Sequence, residues 1–394
     1  MRRFSSYGPI NTRLHYYVSR TRLIERACEQ LVGQDPQEGG HYITVWAPRQ
    51  CGKSWIMIQA LWRLMKDDRF HTVKLDLENL KTLTDVEQIA TSLAQAMIDD
   101  LGLGLTDVRG LAGLERLFLA DILDRPLILI LDEFDALCED AISALVGLFR
   151  NIFNMRQKDP RPSAEKRYLL HGVALIGVHH VIGVENVKGS PFNVQRSLHI
   201  PRLTGDEVDE MFAWYARESG QCVEPAVARR VYAETRGQPG LVSWFGELLT
   251  EGCTGYTPDP ARMLEMRDFE RVWAAALQVL PNNNIINITS KARQPAYKPL
   301  VLELFRTDEK LPFRFDDPRT NFLYMNGVVD QEEDQGRFYL RFPCSFVQKR
   351  LFNYFAFELF GYMGQIHEPF ADISDIITET SLNIRNLLRR YEAH

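Results

Sequence analysis

Residues 41–65 constrain the fold more than any other stretch of the chain. An apolar run from His41 to Trp46 (HYITVW) reads as a buried strand, and a helical pattern resumes from Gly52 to about Met65. Between them stands Ala47-Pro48-Arg49-Gln50-Cys51-Gly52-Lys53-Ser54, which follows the spacing G-x-x-x-x-G-K-[ST] with Ala47 in place of the first glycine. A strand that feeds such a loop into a helix turns successive backbone N–H groups inward, and the helix N-terminus adds its dipole, so the loop holds phosphate. Gly52 lets the backbone come close to the phosphate, Lys53 reaches the β- and γ-phosphates, and the Ser54 hydroxyl binds Mg²⁺. Residues Ala47 to Ser54, with Trp55 behind them, are the candidate nucleotide-binding residues. Alanine at the first position is a modest departure that many phosphate loops accept.

A second string fixes what the first is for. Leu127 to Leu131 (LILIL) is the most apolar run in the chain, and Asp132-Glu133 follow it directly. An unbroken apolar run suits a central strand of a parallel sheet, covered on both faces. An aspartate at its tip is the Walker B pattern: Asp132 sits where it can help hold Mg²⁺, and Glu133 can orient and deprotonate an attacking water. Lys53 and Glu133 are therefore the candidate catalytic residues, and Ser54 and Asp132 the candidate metal ligands. Asp135 and Glu139 continue the acidity and read as a solvated acidic turn. No N-K-x-D string for reading guanine occurs, so ATP is the expected nucleotide.

Strands are expected at 72–77, 127–131, about 168–178 and near 198–200, with helices at about 21–31, 84–100, 112–123 and 140–156. This alternation predicts a doubly wound α/β sheet. One strand, 72–77, lies between the two motif strands in sequence, which suits the additional-strand class of P-loop NTPases. Helices at about 206–218, 225–235 and 239–250 predict a helical lid. Residues 255–300 resist assignment, with Pro281-Asn282-Asn283-Asn284 as a breaker. Helices near 298–306 and 317–326, a hairpin whose polar loop is Gln331 to Gly336, and a helix from about Ser345 to Phe360 outline a winged helix. The expected division is residues 1–203 as the ATPase core, 204–255 as the lid, and 256–394 as a winged-helix-like domain with C-terminal helices.

Bulk properties exclude some partners. The net charge of −6 makes the whole chain no polycation, so nucleic acid would need a local basic patch. The six cysteines include no C-x-x-C pair, and no run of about 18 apolar residues or secretory signal is visible. A cytoplasmic protein with reduced thiols and no membrane span is the expectation.

The strings Tyr16-Tyr17-Val18-Ser19-Arg20, APRQCGKS, LILILDEFDAL, Gly189-Ser190-Pro191-Phe192-Asn193 and Arg236-Gly237-Gln238-Pro239-Gly240 resemble the AAA-like STAND-type ATPase family of bacteria over about residues 1–250. That family is similar in fold to the origin-recognition and transposon-regulator ATPases. The resemblance implies an ATP-driven, self-associating switch with a winged helix after the lid. It implies that Tyr17, Val18 and Arg20 flank the adenine, or else only anchor the N-terminus, and that Pro239 lies near base and ribose. His179 and His180 occupy the strand tip where the family places a γ-phosphate sensor, and a structural histidine is the alternative. Arg150, Arg196 and Arg202 are the candidates for an arginine lent to a neighbouring subunit, and Arg236 for one acting from the lid; surface salt bridges are the alternative for each.

The expected wing, Asp330 to Gly336, is acidic and opposes phosphate contact, so a structural or protein-binding winged helix is favoured over one that binds DNA. The tail Leu382 to Tyr391 reads as an amphipathic helix. Relatives often continue into a nuclease-like domain, and the chain stops before one would begin, so no nuclease activity is expected of it. The leading function is an ATP-hydrolysing switch that controls self-assembly or partner binding. A nucleic-acid-loading ATPase and a non-hydrolysing ATP-binding scaffold are the alternatives.

Overall fold

The computed structural model describes residues 1–8, 10–177, 197–252, 254–307 and 309–361. Its Cα positions group into two compact units, Met1–Gln348 and Lys349–His394. The sheet belongs to the first. Its strands are β1 (Tyr42–Trp46), β2 (His71–Asp76), β3 (Leu127–Asp132), β4 (Leu170–Ile176) and β5 (Leu198–His199), all parallel, in the order β2-β3-β4-β1-β5. Strand β4 thus lies between the two motif strands, which is the additional-strand arrangement. The helices of this part are α1 (Thr21–Val32), α2 (Lys53–Leu64), α3 (Val86–Leu101), α4 (Gly110–Arg116) and α5 (Glu139–Lys158).

The run LILIL shows why the sheet is buried on both sides. Alternate side chains point to opposite faces of a strand. Leu127, Leu129 and Leu131 join the cluster that holds Ile89, Leu93, Leu114 and Leu145 of α3, α4 and α5. Ile128 and Ile130 join the opposite cluster, with Ile24, Ala27, Met57 and Ala60 of α1 and α2. Every residue of β3 and β4 is buried. Because Asp76 is in register with Asp132, and Leu131 with Leu175, the carboxyl ends of β2, β3 and β4 come level. A crevice outside the carboxyl ends is where open α/β sheets bind ligands.

After the sheet come α6 (Gly205–Ser219), α7 (Pro225–Thr235) and α8 (Pro239–Thr250). Thr204 and Glu207 close a capping box at the start of α6, and Pro239 opens α8, where its missing N–H costs nothing. Then follow α9 (Met266–Gln278), α10 (Asn283–Ala292), α11 (Lys298–Arg306), α12 (Pro318–Met325), the antiparallel pair β6 (Asp330–Asp334) and β7 (Arg337–Arg341), and α13 (Ser345–Gly361).

Three local expectations are corrected. Residues 255–300 hold two helices, and the Pro-Asn-Asn-Asn breaker starts the second: the Asn282 side chain accepts the Ile285 N–H as its cap. Helix α4 ends at Arg116, short of 123, and Leu119 instead makes an antiparallel bridge to Tyr168. The polar loop Gln331 to Gly336 is mostly strand. The turn is only Gln335-Gly336, both at positive φ, the geometry of a two-residue hairpin. Arginines make an acidic strand tolerable there: Arg341 reaches Glu332 at 3.2 Å and Asp330 at 3.7 Å, and Arg202 reaches Asp330 at 3.2 Å.

Candidate functional site

The loop after β1 has the shape that its sequence demands. Gly52 caps α2 in the left-handed region (φ 86°), and a Cβ added there would meet no atom within 4 Å, so the backbone faces open space. The first N–H groups of α2 have no partners inside the helix and point the same way. Lys53 bends back over the loop and donates to the carbonyls of Ala47 at 2.8 Å and Pro48 at 3.3 Å. Ala47 is buried in the apolar cluster beneath, as is Cys51, whose thiol is pushed up by burial. The Trp55 ring, also buried, meets Tyr17 edge-on at 6.0 Å.

Across from the loop, Asp132 is almost fully buried, and each carboxylate oxygen has partners. Oδ1 accepts from the Ser54 hydroxyl and the Glu133 N–H, each at 3.1 Å, and Oδ2 lies 2.8 Å from Lys74 Nζ. Glu133 stands at φ 52°, an uncommon conformation for a side-chain-bearing residue, and its carboxyl is half-buried. Burial raises its pKa, Lys53 opposes the rise, and Asp132 adds to it. Asp135 corrects an expectation. It lines the cavity, where it packs against Gly177 at the end of β4, and burial together with Glu133 pushes it up to about 7. Glu139 is exposed at the start of α5, as a solvated turn predicts.

The donor set fits Mg²⁺ of the kind held by one or two protein oxygens plus substrate phosphates. Ser54 Oγ and Asp132 Oδ1 are 3.1 Å apart, at the start of α2. Among the described residues no group of three or more His, Cys, Asp or Glu side chains could hold a metal ion.

The lid touches the phosphate loop directly. Gln238 donates from Nε2 to the Arg49 carbonyl at 3.2 Å, and the Gly240 N–H donates to the Gln50 carbonyl at 3.1 Å. Gln50 itself is left-handed (φ 58°), which aims its side chain at Gly240. Loop, lid and strand tips together enclose a cavity of about 1390 Å³. Pro239 and Ser243 line it from α8, and Lys291 and Asn321 from α10 and α12.

The N-terminal residues divide. Ser5 to Gly8 and Ile10 line the cavity, strapped to the lid by the Ser6 N–H and hydroxyl, which donate to Glu247 at 2.6 Å each. Tyr17, Val18 and Arg20 are not among its lining residues. Tyr17 lies between Trp55, which it meets edge-on, and Trp214, which it meets at a tilt; Val18 is half-buried, and Arg20 donates to the carbonyls of Pro201 and Arg202 and pairs with Glu207 at 3.5 Å. The guanidinium of Arg202 is engaged by Asp330 and the Pro343 carbonyl, 2.6 Å away. Arg150 lies on α5, and Arg236 ends α7 at φ 48°. His179, His180, Arg196, the string 189–193 and the tail 382–391 lie outside the described residues.

Sequence reading missed Lys74, Asp135 and the Ser5–Gly8 strap. Lys74 left one signal, a lysine inside the short strand TVKLDL; the strap left none, because its contacts are with residues more than two hundred positions away.

A parallel sheet in this order, with loop, Asp132 and Glu133 at its carboxyl edge, defines a P-loop NTPase of the additional-strand class. The chain belongs to the AAA-like domain family, whose profile matches residues 6–245. No curated protein matches it. Among solved structures it resembles the Walker-type ATPase of Pyrococcus abyssi, with 14% identity, coverage of 88% of this chain and 98% of that one, and a TM-score of 0.50. It also resembles the ORC2 protein of Aeropyrum pernix in its ADPNP–ADP complexes, with 13% identity, coverage of 90% and 96%, and a TM-score of 0.50. At these identities the likeness is one of fold. Among the described residues no helix is long and apolar enough to cross a membrane.

Proposed function

We propose that this protein binds ATP with Mg²⁺ in the cavity between loop and lid, hydrolyses it, and uses the change of nucleotide to control self-assembly or partner binding. The single observation that carries the reading is the constellation of Ser54 and Asp132 at 3.1 Å with Glu133 one residue beyond, beneath a loop whose backbone faces open space. Lys53 and the loop N–H groups bind the phosphate oxygens, and Ser54 and Asp132 hold the metal. A Mg²⁺ held there would supply charge neutralisation of the phosphates. Glu133, its pKa raised by burial, takes the proton of the attacking water. Pro239 and the Ser5–Gly8 strap line the same cavity. The ADPNP–ADP complexes of the Aeropyrum protein support nucleotide binding on this fold. Residues 1–203, 204–255 and 256–394 then act as core, lid and winged-helix-like module. The paired acidic strand Asp330–Asp334 disfavours loading of nucleic acid as the primary role.

The test is ATP·Mg²⁺ binding, phosphate release and molecular mass in solution, for wild type and Glu133→Gln. The variant should bind ATP as wild type does while turnover falls about 10²–10⁴-fold, the usual contribution of a general base. Equal turnover would remove Glu133 from the chemistry, and a mass unaffected by ATP·Mg²⁺ would remove self-assembly from the function.

A further inference from the structure

Lys74 is a charged residue in the middle of a strand, and the place where its ammonium ends explains it. Strand β2 sets Lys74 opposite Ile130 of β3, two residues before the aspartate at the strand tip. Its side chain is 14% exposed and that of Asp132 is 4% exposed. A buried ammonium is tolerated when it is paired, and its partner at 2.8 Å is Asp132 Oδ2. The other oxygen, Oδ1, is left to Ser54 and the Glu133 N–H. Lys74 also lines the same cavity as Asp76, Glu78, Glu133 and Asp135.

The charges have a consequence for metal entry. Asp132 with Lys74 removed would keep the Ser54 hydroxyl and the Glu133 N–H on Oδ1, while Oδ2 would lose its cation and stand open to another. A carboxylate oxygen freed in this way, beside the Ser54 hydroxyl, is a ligand for a hard divalent cation. Lys74 cancels the Asp132 charge and repels a second cation placed beside it. A metal then becomes favourable only when another source of negative charge arrives, and the phosphates of a nucleotide supply it. We propose that Lys74 is a specificity-determining residue for the metal: it keeps free divalent cations out of the Ser54–Asp132 site and makes their uptake depend on nucleotide. This rests on the reading of Ser54 and Asp132 as the metal ligands.

The test uses the full chain, freed of nucleotide and metal, with Mn²⁺ as a probe visible by electron paramagnetic resonance. Lys74→Gln removes the charge while keeping an N–H donor for Asp132, and Lys74→Arg keeps the charge. Lys74→Gln should bind Mn²⁺ alone at least tenfold more tightly than wild type, and Lys74→Arg should match wild type. Adding Asp132→Asn to Lys74→Gln should abolish the gain. Unchanged or weaker Mn²⁺ binding by Lys74→Gln would overturn the proposal, as would a gain that survives loss of Asp132. Circular dichroism of each variant identifies one that has not folded, and Lys74→Met then takes the place of Lys74→Gln with the same expected result. Failure of wild type to bind ATP·Mg²⁺ would remove the functional reading instead, and is scored separately from the Mn²⁺ comparison.

Discussion

Replacing Gly240 with alanine should lever the lid off the phosphate loop. The new methyl would stand 2.7 Å from Gln50 Cβ and 3.0 Å from Gln50 Cδ, closer than carbon atoms approach without repulsion at about 3.5–4.0 Å. Gln50 cannot swing its Cβ aside, because its left-handed backbone fixes that atom. Separation by about 1 Å is the remaining relief, and it breaks the two hydrogen bonds from Gly240 and Gln238, now 3.1 and 3.2 Å, by stretching them past their useful range. At about 1 kcal/mol each, that is about 2 kcal/mol. If bound nucleotide holds lid and loop in this arrangement, the variant must restore the clasp on binding, and affinity falls roughly 30-fold. Titration with a fluorescent ATP analogue measures this. A second substitution, Gln50→Gly, suits φ 58° and removes the Cβ, Cδ and Oε1 atoms that the methyl strikes, so the double variant should return to within about threefold of Gln50→Gly alone. Unchanged affinity in Gly240→Ala, or no recovery in the double variant, would refute the clasp.

Two further predictions concern stability. His171 is buried, with Nε2 bonded to the Val32 carbonyl at 2.9 Å and Nδ1 to Ser163 Oγ at 2.7 Å, and burial depresses it to about 4. Its neutral form is favoured in the folded state, so its contribution is complete above about pH 6.5 and is lost as pH falls toward 4. Because Asp135 is pushed the other way and gains stability over the same range, the test is a difference: the urea-unfolding free energy of wild type minus that of His171→Gln should fall by roughly 2 kcal/mol between pH 7 and pH 5, and a difference independent of pH would refute the assignment. Gly246 of α8 gives its space to Phe4, whose ring atom Cδ2 an added Cβ would meet at 2.8 Å. Gly246→Ala should dislodge Phe4 at a cost of about 1–3 kcal/mol and so release the strap bonded through Ser6; hydrogen exchange of residues 2–8 should quicken, and unchanged protection would dismiss the contact.

Spacing along the chain was enough to announce the site's centre. The order of residues 47–54 and 127–133 dictates a strand, a left-handed turn at Gly52, a helix cap and an acidic strand tip, all consequences of local backbone geometry and apolar periodicity. The alternating strands and helices likewise announced the sheet, and the lid helices fell where their caps predicted. Where local signals compete, the sequence misled. The acidic run Gln331–Asp334 looked like a loop because the arginines that neutralise its strand come from β7 and from Arg202, and the Asn-rich stretch looked like a breaker although an asparagine also caps a helix.

Only the tertiary structure decided which further residues reach the site. Lys74 meets Asp132 because β2 and β3 are neighbours in register; Asp135 meets Gly177 because β4 is inserted between β1 and β3; Gln50 meets Gly240, and Ser6 meets Glu247, across separations of about two hundred residues. Such contacts depend on strand order and on the docking of the lid, which hydrophobic patterning does not specify, since burial drives collapse without choosing partners. The sequence by itself therefore determined the P-loop fold and the residues at the centre of the candidate site. The packing decided the charge around it, how the lid closes on it, and which residues line it.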